Sequence, residues 1–158
     1  MKDLTLLYLY KPKEEQILLA MKKRGFGEGK WNGVGGKIEA GETIEAAAVR
    51  EAKEEAGVLV QPEDLKKVAV LEFSFDGKPE VRLRVHTFLT ERWSGEPTES
   101  DEMRPLWHGT KILPYQKMWV SDQYWLPRVL RGERLEAAFT FTASGDEIIA
   151  MKVEPAPS

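Results

Sequence analysis

Residues 36–58 read GKIEAGETIEAAAVREAKEEAGV, and this stretch decides the fold. Thr43 suits an N-cap, residues 44–56 are strong helix formers, and Gly57 is a natural stop, so a helix is predicted over 44–56. On a wheel of about 100° per residue starting at Ile44, Ala47 and Ala48 fall near 300° and 40° and Ala52 near 80°. That is the apolar stripe. Glu51 falls near 340° and Glu55 near 20°, inside the stripe, and Glu54 lies at its edge near 280°. Ala46 and Lys53 take the solvent side.

A run of glutamates on a helix is usually a solvated face. Here two carboxylates point where Ile44 points. Burying an unpaired carboxylate costs several kcal/mol, and two neighbours also repel. Something cationic must neutralise them, and one arginine cannot serve all three. A divalent ion can, and glutamate oxygens suit Mg²⁺ or Mn²⁺. The phase of the helix therefore predicts a metal site.

Working outward, residues 25–41 hold seven glycines, too many for a helix. Upstream, 4–10 reads as a strand buried on both faces, Pro12 ends it, and 16–22 reads as the returning strand of a hairpin. Downstream, 65–75 and 80–91 alternate as strands around Asp76-Gly77. A polar loop over 93–100 precedes a short strand at 103–108. Residues 122–131 read as a second helix, weakened by Pro127. A final hairpin is expected over 134–142 and 146–153, with 154–158 as a frayed tail. One α/β domain with a mixed sheet, spanning 1–158, accounts for this order.

The chain has 158 residues, enough for one core without disulfides or a structural metal. It has no cysteine, which excludes a disulfide framework, a thiolate metal site and a cysteine nucleophile, and fits a reducing cytoplasm. The net charge of −3 disfavours a polymeric nucleic-acid partner while allowing a small phosphorylated ligand. The first residues read as a strand, not a signal peptide, and no stretch approaches a membrane span.

Residues 36–58 closely resemble the Nudix box, G-x5-E-x7-R-E-U-x-E-E-x-G-U, with U a bulky aliphatic. Gly36, Glu42, Arg50, Glu51, Glu54, Glu55 and Gly57 occupy its seven strictly typed positions. Ala52 departs from the usual bulky aliphatic, which implies a local packing change. The segments at 21–37, 99–105 and 118–125 extend the resemblance to the oxidised-purine nucleoside triphosphatase (8-oxo-dGTPase) branch of the MutT/Nudix family. The resemblance implies an α/β/α sandwich. It also implies a metal-activated water attacking a bridging phosphoryl group, with monophosphate and pyrophosphate as products.

It further implies roles. Glu51, Glu54, Glu55 and Glu102 match catalytic and metal-binding positions, and the Gly35 carbonyl matches a backbone ligand. Glu54 or Glu55 manages the water. Glu42 and Arg50 pair to fix the loop against the helix. Lys22 matches a substrate contact, and Val34, Gly35, Gly36 and Lys37 fall on the substrate side of the glycine-rich segment. Asn32, Trp119, Ser121 and Asp122 match the purine pocket. Phe26 and Trp119 are placed to sandwich a flat ring, and Thr5 and Phe73 to line the pocket. The branch carries two adjacent aspartates where this chain has Ser121 and Asp122. A lone Asp122 is expected to be ionised and to favour a guanine-type edge over an adenine-type one.

The expected protein is a monomer acting on free nucleotide, without nucleic-acid polymer or membrane. Other readings are hydrolysis of an ADP-sugar or dinucleoside polyphosphate, and a non-catalytic nucleotide-binding module; the intact carboxylate set argues against the latter.

Overall fold

The structure, a computed structural model, describes residues 1–157. In chain order the elements are β1 (Lys2–Lys11), β2 (Gln16–Lys22), β3 (Trp31–Asn32), α1 (Ile44–Ala56), β4 (Lys66–Phe75), β5 (Lys78–Thr90), β6 (Met103–Gly109), α2 (Asp122–Leu130), β7 (Leu135–Phe141) and β8 (Ile148–Pro155). The strands form a mixed sheet in the order β3-β2-β1-β5-β4-β7-β8, with β6 also pairing β2. β1 runs parallel to β5, and β4 parallel to β7.

Strand alternation explains why the sheet is covered on two faces. On β1, Leu7 and Leu9 join the core beneath α1, with Ala48, Ala52 and Ala56 of that helix. Leu6 and Tyr8 point the other way, into a core with Trp125, Leu126 and Val129 of α2. The central strand is thus buried on both sides, and the layers are helix, mixed sheet, helix.

The hairpin expected of β1 and β2 is only partly formed. These strands pair at Tyr10–Ile17 and Lys11–Gln16, after which they diverge and β2 pairs along its length with β6. The reason is the glycine-rich segment. It enters the gap and bonds to β1 itself, through Leu7 N–H to Val34 O at 2.7 Å and Thr5 N–H to Gly36 O at 2.8 Å. The tail also differs from expectation. β8 continues to Pro155, pairing Glu136 with Glu154 and Leu135 with Pro155, so 154 and 155 belong to the sheet. Ser158 lies outside the described residues.

α1 has the ends that its sequence dictates. The Thr43 hydroxyl accepts from Ala46 N–H at 3.0 Å, and Gly57 stops the helix at φ 71°, its N–H donating to the Lys53 carbonyl. Thr43→Ala should therefore lower stability by about 1 kcal/mol and Thr43→Ser by much less, as read from urea denaturation midpoints.

Candidate active site

The site begins with backbone packing. A Cβ added to Gly35 would lie 1.9 Å from the Thr5 carbonyl oxygen, and one on Gly36 would lie 2.7 Å from Glu51 Oε1. Only glycine permits this approach. The turn is pressed between β1 and α1, and the carboxylates of α1 rest directly on its backbone. Gly35 N–H donates to Glu55 Oε1 at 2.8 Å.

The helical phase holds. Glu55 is buried with Ala47, Ala48, Ala52 and Ala56, whereas the side chain of Glu54 is exposed. Burial pushes the Glu55 carboxyl up to about 7. The Gly35 N–H and Lys22 oppose that shift, and Glu51 and Glu102 add to it. Glu51 is also raised by burial, against the pull of Arg50.

Arg50 holds Glu42 through two bonds of 2.7 and 2.9 Å, the Lys37 carbonyl at 3.0 Å, Glu51 at 2.8 Å and Glu54 at 3.3 Å. Its hydrogen bonds hold the Glu42 carboxyl down to about 2. One arginine thus reaches two of the three helix carboxylates and leaves Glu55 without a side-chain cation among the described residues. Glu102, just before β6, is held by Arg24 at 2.9 Å and Lys22 at 3.4 Å, which lower its carboxyl below the usual range. Among the described residues, no three His, Cys, Asp or Glu side chains gather at metal-ligating spacing. Glu54 shares Arg50 with Glu51, and Glu102 is held by Arg24 and Lys22.

Beside the turn opens a cleft of about 200 Å³. Thr5, Gly35 and Gly36 form one wall, and Lys22 and Asn32 stand beside them. Phe73, Trp119 and Asp122 also line it. Leu71, Leu83, Val85 and Phe141 supply an apolar floor that sequence reasoning did not assign to the site, although strand alternation puts Leu71 on the face of Phe73. Lys30 was also missed; its ammonium lies 5.2 Å from the Trp119 ring centre.

Residues 4–129 match the NUDIX domain. The chain belongs to the Nudix hydrolase family. It is 44% identical over 153 residues to an oxidized purine nucleoside triphosphate hydrolase of Danio rerio, covering 97% of this chain and 94% of that one. It is 44% identical over 137 residues to the protein of the same name from Mus musculus, covering 87% and 85%. Its fold matches a MutT protein of Bacillus halodurans with a TM-score of 0.85 at 26% identity, covering 99% and 100%. Nudix hydrolases generally need a divalent metal ion. No helix among the described residues is long and apolar enough to cross a membrane.

Within this Nudix fold several expected contacts fall elsewhere. Val34 is buried under α1, because strand alternation turns it away from the cleft. Lys37 is exposed and does not line the cleft. Ser121 is fully buried just before α2, its hydroxyl without a hydrogen-bond partner among the described residues. Phe26 and Trp119 do not flank a gap. Their ring centres are 5.2 Å apart, contact distance for an aromatic pair, so Trp119 is a wall and the exposed Phe26 is its rim.

Asp122 departs most from expectation. It stands alone, yet burial pushes its carboxyl up to about 7, against the Trp125 indole N–H, the Trp119 backbone and Lys30. Removing a neighbouring carboxylate removes repulsion but not desolvation. Asp122 therefore takes up a proton far more readily near neutral pH than an exposed aspartate, and in that form it donates as well as accepts.

The Glu55 carboxyl has a folded-state pKa above its unfolded one. Its charged form therefore destabilises the metal-free fold increasingly from about pH 4.5 to about 7, and at a constant level above that. In metal-free buffer, Glu55→Gln should stabilise by on the order of 2 kcal/mol at pH 8 and by little at pH 5. Paired thermal melts at the two pH values measure the difference; equal shifts would contradict the assignment.

Proposed function

We propose that this Nudix enzyme hydrolyses purine nucleoside triphosphates, including oxidised forms such as 8-oxo-dGTP, to the monophosphate and pyrophosphate, and so sanitises the nucleotide pool. One observation carries the reading. A largely apolar cleft whose lining includes Asn32 and Asp122 is also lined by Gly35 and Gly36 of the turn on which Glu51 and Glu55 converge. A base in the cleft leaves its phosphates near that turn. The names of the Danio rerio and Mus musculus relatives support the same substrate class.

The donors suit a hard divalent ion, Mg²⁺ with Mn²⁺ as substitute. The set is all oxygen, and it includes a buried carboxylate that meets one N–H and no side-chain cation among the described residues. Glu51, Glu55 and the Gly35 carbonyl would hold the ion, with Glu54 and Glu102 as further ligands. When bound, it supplies charge neutralisation on the phosphate oxygens and a lower pKa for water.

The chain's own residues do the rest. Glu55, buried beside the turn with the Gly35 N–H on one oxygen, is the better placed to take a proton from water; Glu54 is exposed and tied to Arg50. Lys22 lies at the cleft wall and supplies positive charge toward phosphate. Arg50 keeps the loop docked through Glu42 and the Lys37 carbonyl. The accompanying reading is a cytoplasmic monomer acting on free nucleotide; the absence of cysteine fits a reducing compartment, and the net charge of −3 disfavours a nucleic-acid polymer.

Purified protein should release pyrophosphate from dGTP and 8-oxo-dGTP with Mg²⁺, lose that activity in excess EDTA and regain it with Mg²⁺ or Mn²⁺. Turnover of ADP-ribose in preference to every purine triphosphate would overturn the substrate class. Glu55→Gln should cut kcat by at least about a hundredfold while the protein stays folded. Near-normal turnover of that variant at saturating Mg²⁺ would remove Glu55 from the chemistry.

A further inference from the structure

Behind the cleft, Tyr8 is wholly buried, and its hydroxyl lies 2.9 Å from Asn32 Oδ1. The Gly33 backbone N–H meets the same Asn32 atom at 2.9 Å. A backbone N–H only donates, so the atom facing it is the amide oxygen, and the Tyr8 hydroxyl must donate as well. Both lone pairs of that carbonyl are therefore used. The Asn32 nitrogen has no protein partner among the described residues, and the residue lines the cleft. Asp122 is arranged in parallel. The Trp125 indole N–H donates to its Oδ1 at 3.1 Å, while its buried Oδ2 has no partner among the described residues. The Tyr8 and Trp125 rings pack together at 6.0 Å.

We propose that Tyr8 is a positioning residue for base selection: by saturating the Asn32 carbonyl, it makes Asn32 a donor only and so biases the cleft toward a guanine-type edge. This rests on the reading of the cleft as a purine site. Guanine presents an acceptor at O6 beside a donor at N1–H, matching the Asn32 amide and the Asp122 oxygen. The 8-oxo group leaves that edge intact. Adenine presents the reverse order, a donor at N6 beside an acceptor at N1. A protonated Asp122 can meet the acceptor, but the amino group then needs a carbonyl from Asn32. Turning the amide over would set its NH₂ against the Gly33 N–H and leave the buried Tyr8 proton without an acceptor. The fixed polarity of the cleft thus resides in Asn32, and Asp122 adapts.

Tyr8→Phe removes one oxygen and keeps the ring. With Mg²⁺ and purified protein, kcat/KM is compared for dGTP and dATP, with thermal melting as the folding control. The dGTP-to-dATP ratio should fall about three- to tenfold, the effect of one neutral hydrogen bond, mainly through KM, with kcat for dGTP within about twofold. In an Asn32→Ala background the same substitution should leave the ratio unchanged, which a general packing defect would not do. Asn32→Asp, which puts an acceptor where the amide nitrogen was, should lower the ratio with Tyr8 intact, and it tests the polarity even if Tyr8→Phe fails to fold. A folded Tyr8→Phe protein with the parental ratio, or an Asn32→Asp protein that keeps it, overturns the inference and leaves the substrate class standing. A parental protein that hydrolyses no purine triphosphate overturns the reading of the cleft, and the inference with it.

Discussion

Everything in the site depends on how closely one turn of backbone approaches its neighbours. Gly35 and Gly36 lie against β1 and α1 at distances that leave no room for a Cβ. This contact sets the height of the carboxylates over the turn, gives Glu55 its one hydrogen bond, and separates β1 from β2 so that a cleft can open. Arg50 secures the arrangement from outside, joining Glu42 and the Lys37 carbonyl of the loop to Glu51 and Glu54 of the helix. The electrostatics follow from the packing. Glu55 is raised because it is buried with little to neutralise it, and Glu42 is depressed because it faces the guanidinium directly.

α1 was legible in the sequence because its signals are local and periodic. Cap, stop and the inward phase of Glu51 and Glu55 all follow from spacing within a thirteen-residue helix and the residue at each of its ends. The strands were legible for the same reason. What escaped was set by long-range geometry. No spacing rule says that residues 33–36 will displace β2 from β1, so the hairpin was read as complete when it pairs only at its turn. No local rule takes Ser121 out of the cleft while Asp122 lines it, and the alternation that turns Val34 away applies only once residues 33–36 are known to pair with β1.

Two misreadings have a common cause. Phe26 and Trp119 were assigned a sandwich from ring type, and Asp122 a full charge from the loss of its aspartate neighbour, without the packing around either. Aromatic rings pack on each other as readily as on a base, and here they meet in a tilted pair. A carboxyl's charge depends on its burial as much as on its neighbours, and Asp122 is buried. Tyr8 went unnoticed because a tyrosine in an apolar strand reads as core, which it also is. Only the 24-residue separation from Asn32, closed by the fold, gives its hydroxyl a further task.

The parallel pairing of β1 with β5 has a consequence for synthesis. Lys2 pairs with Leu83 and Leu9 with Thr90, so β1 meets its main partner only after roughly 80 further residues have been made. At translation rates of about 5–20 residues per second, the segment from Leu4 to Leu9 waits for several seconds or more. During that wait its edge toward β5 stays unpaired, and the Leu6 and Tyr8 face stays uncovered until α2 is made later still. The strand that will bear the turn and the cleft is therefore the nascent chain's longest-standing aggregation hazard, and the segment with most to gain from a ribosome-bound chaperone.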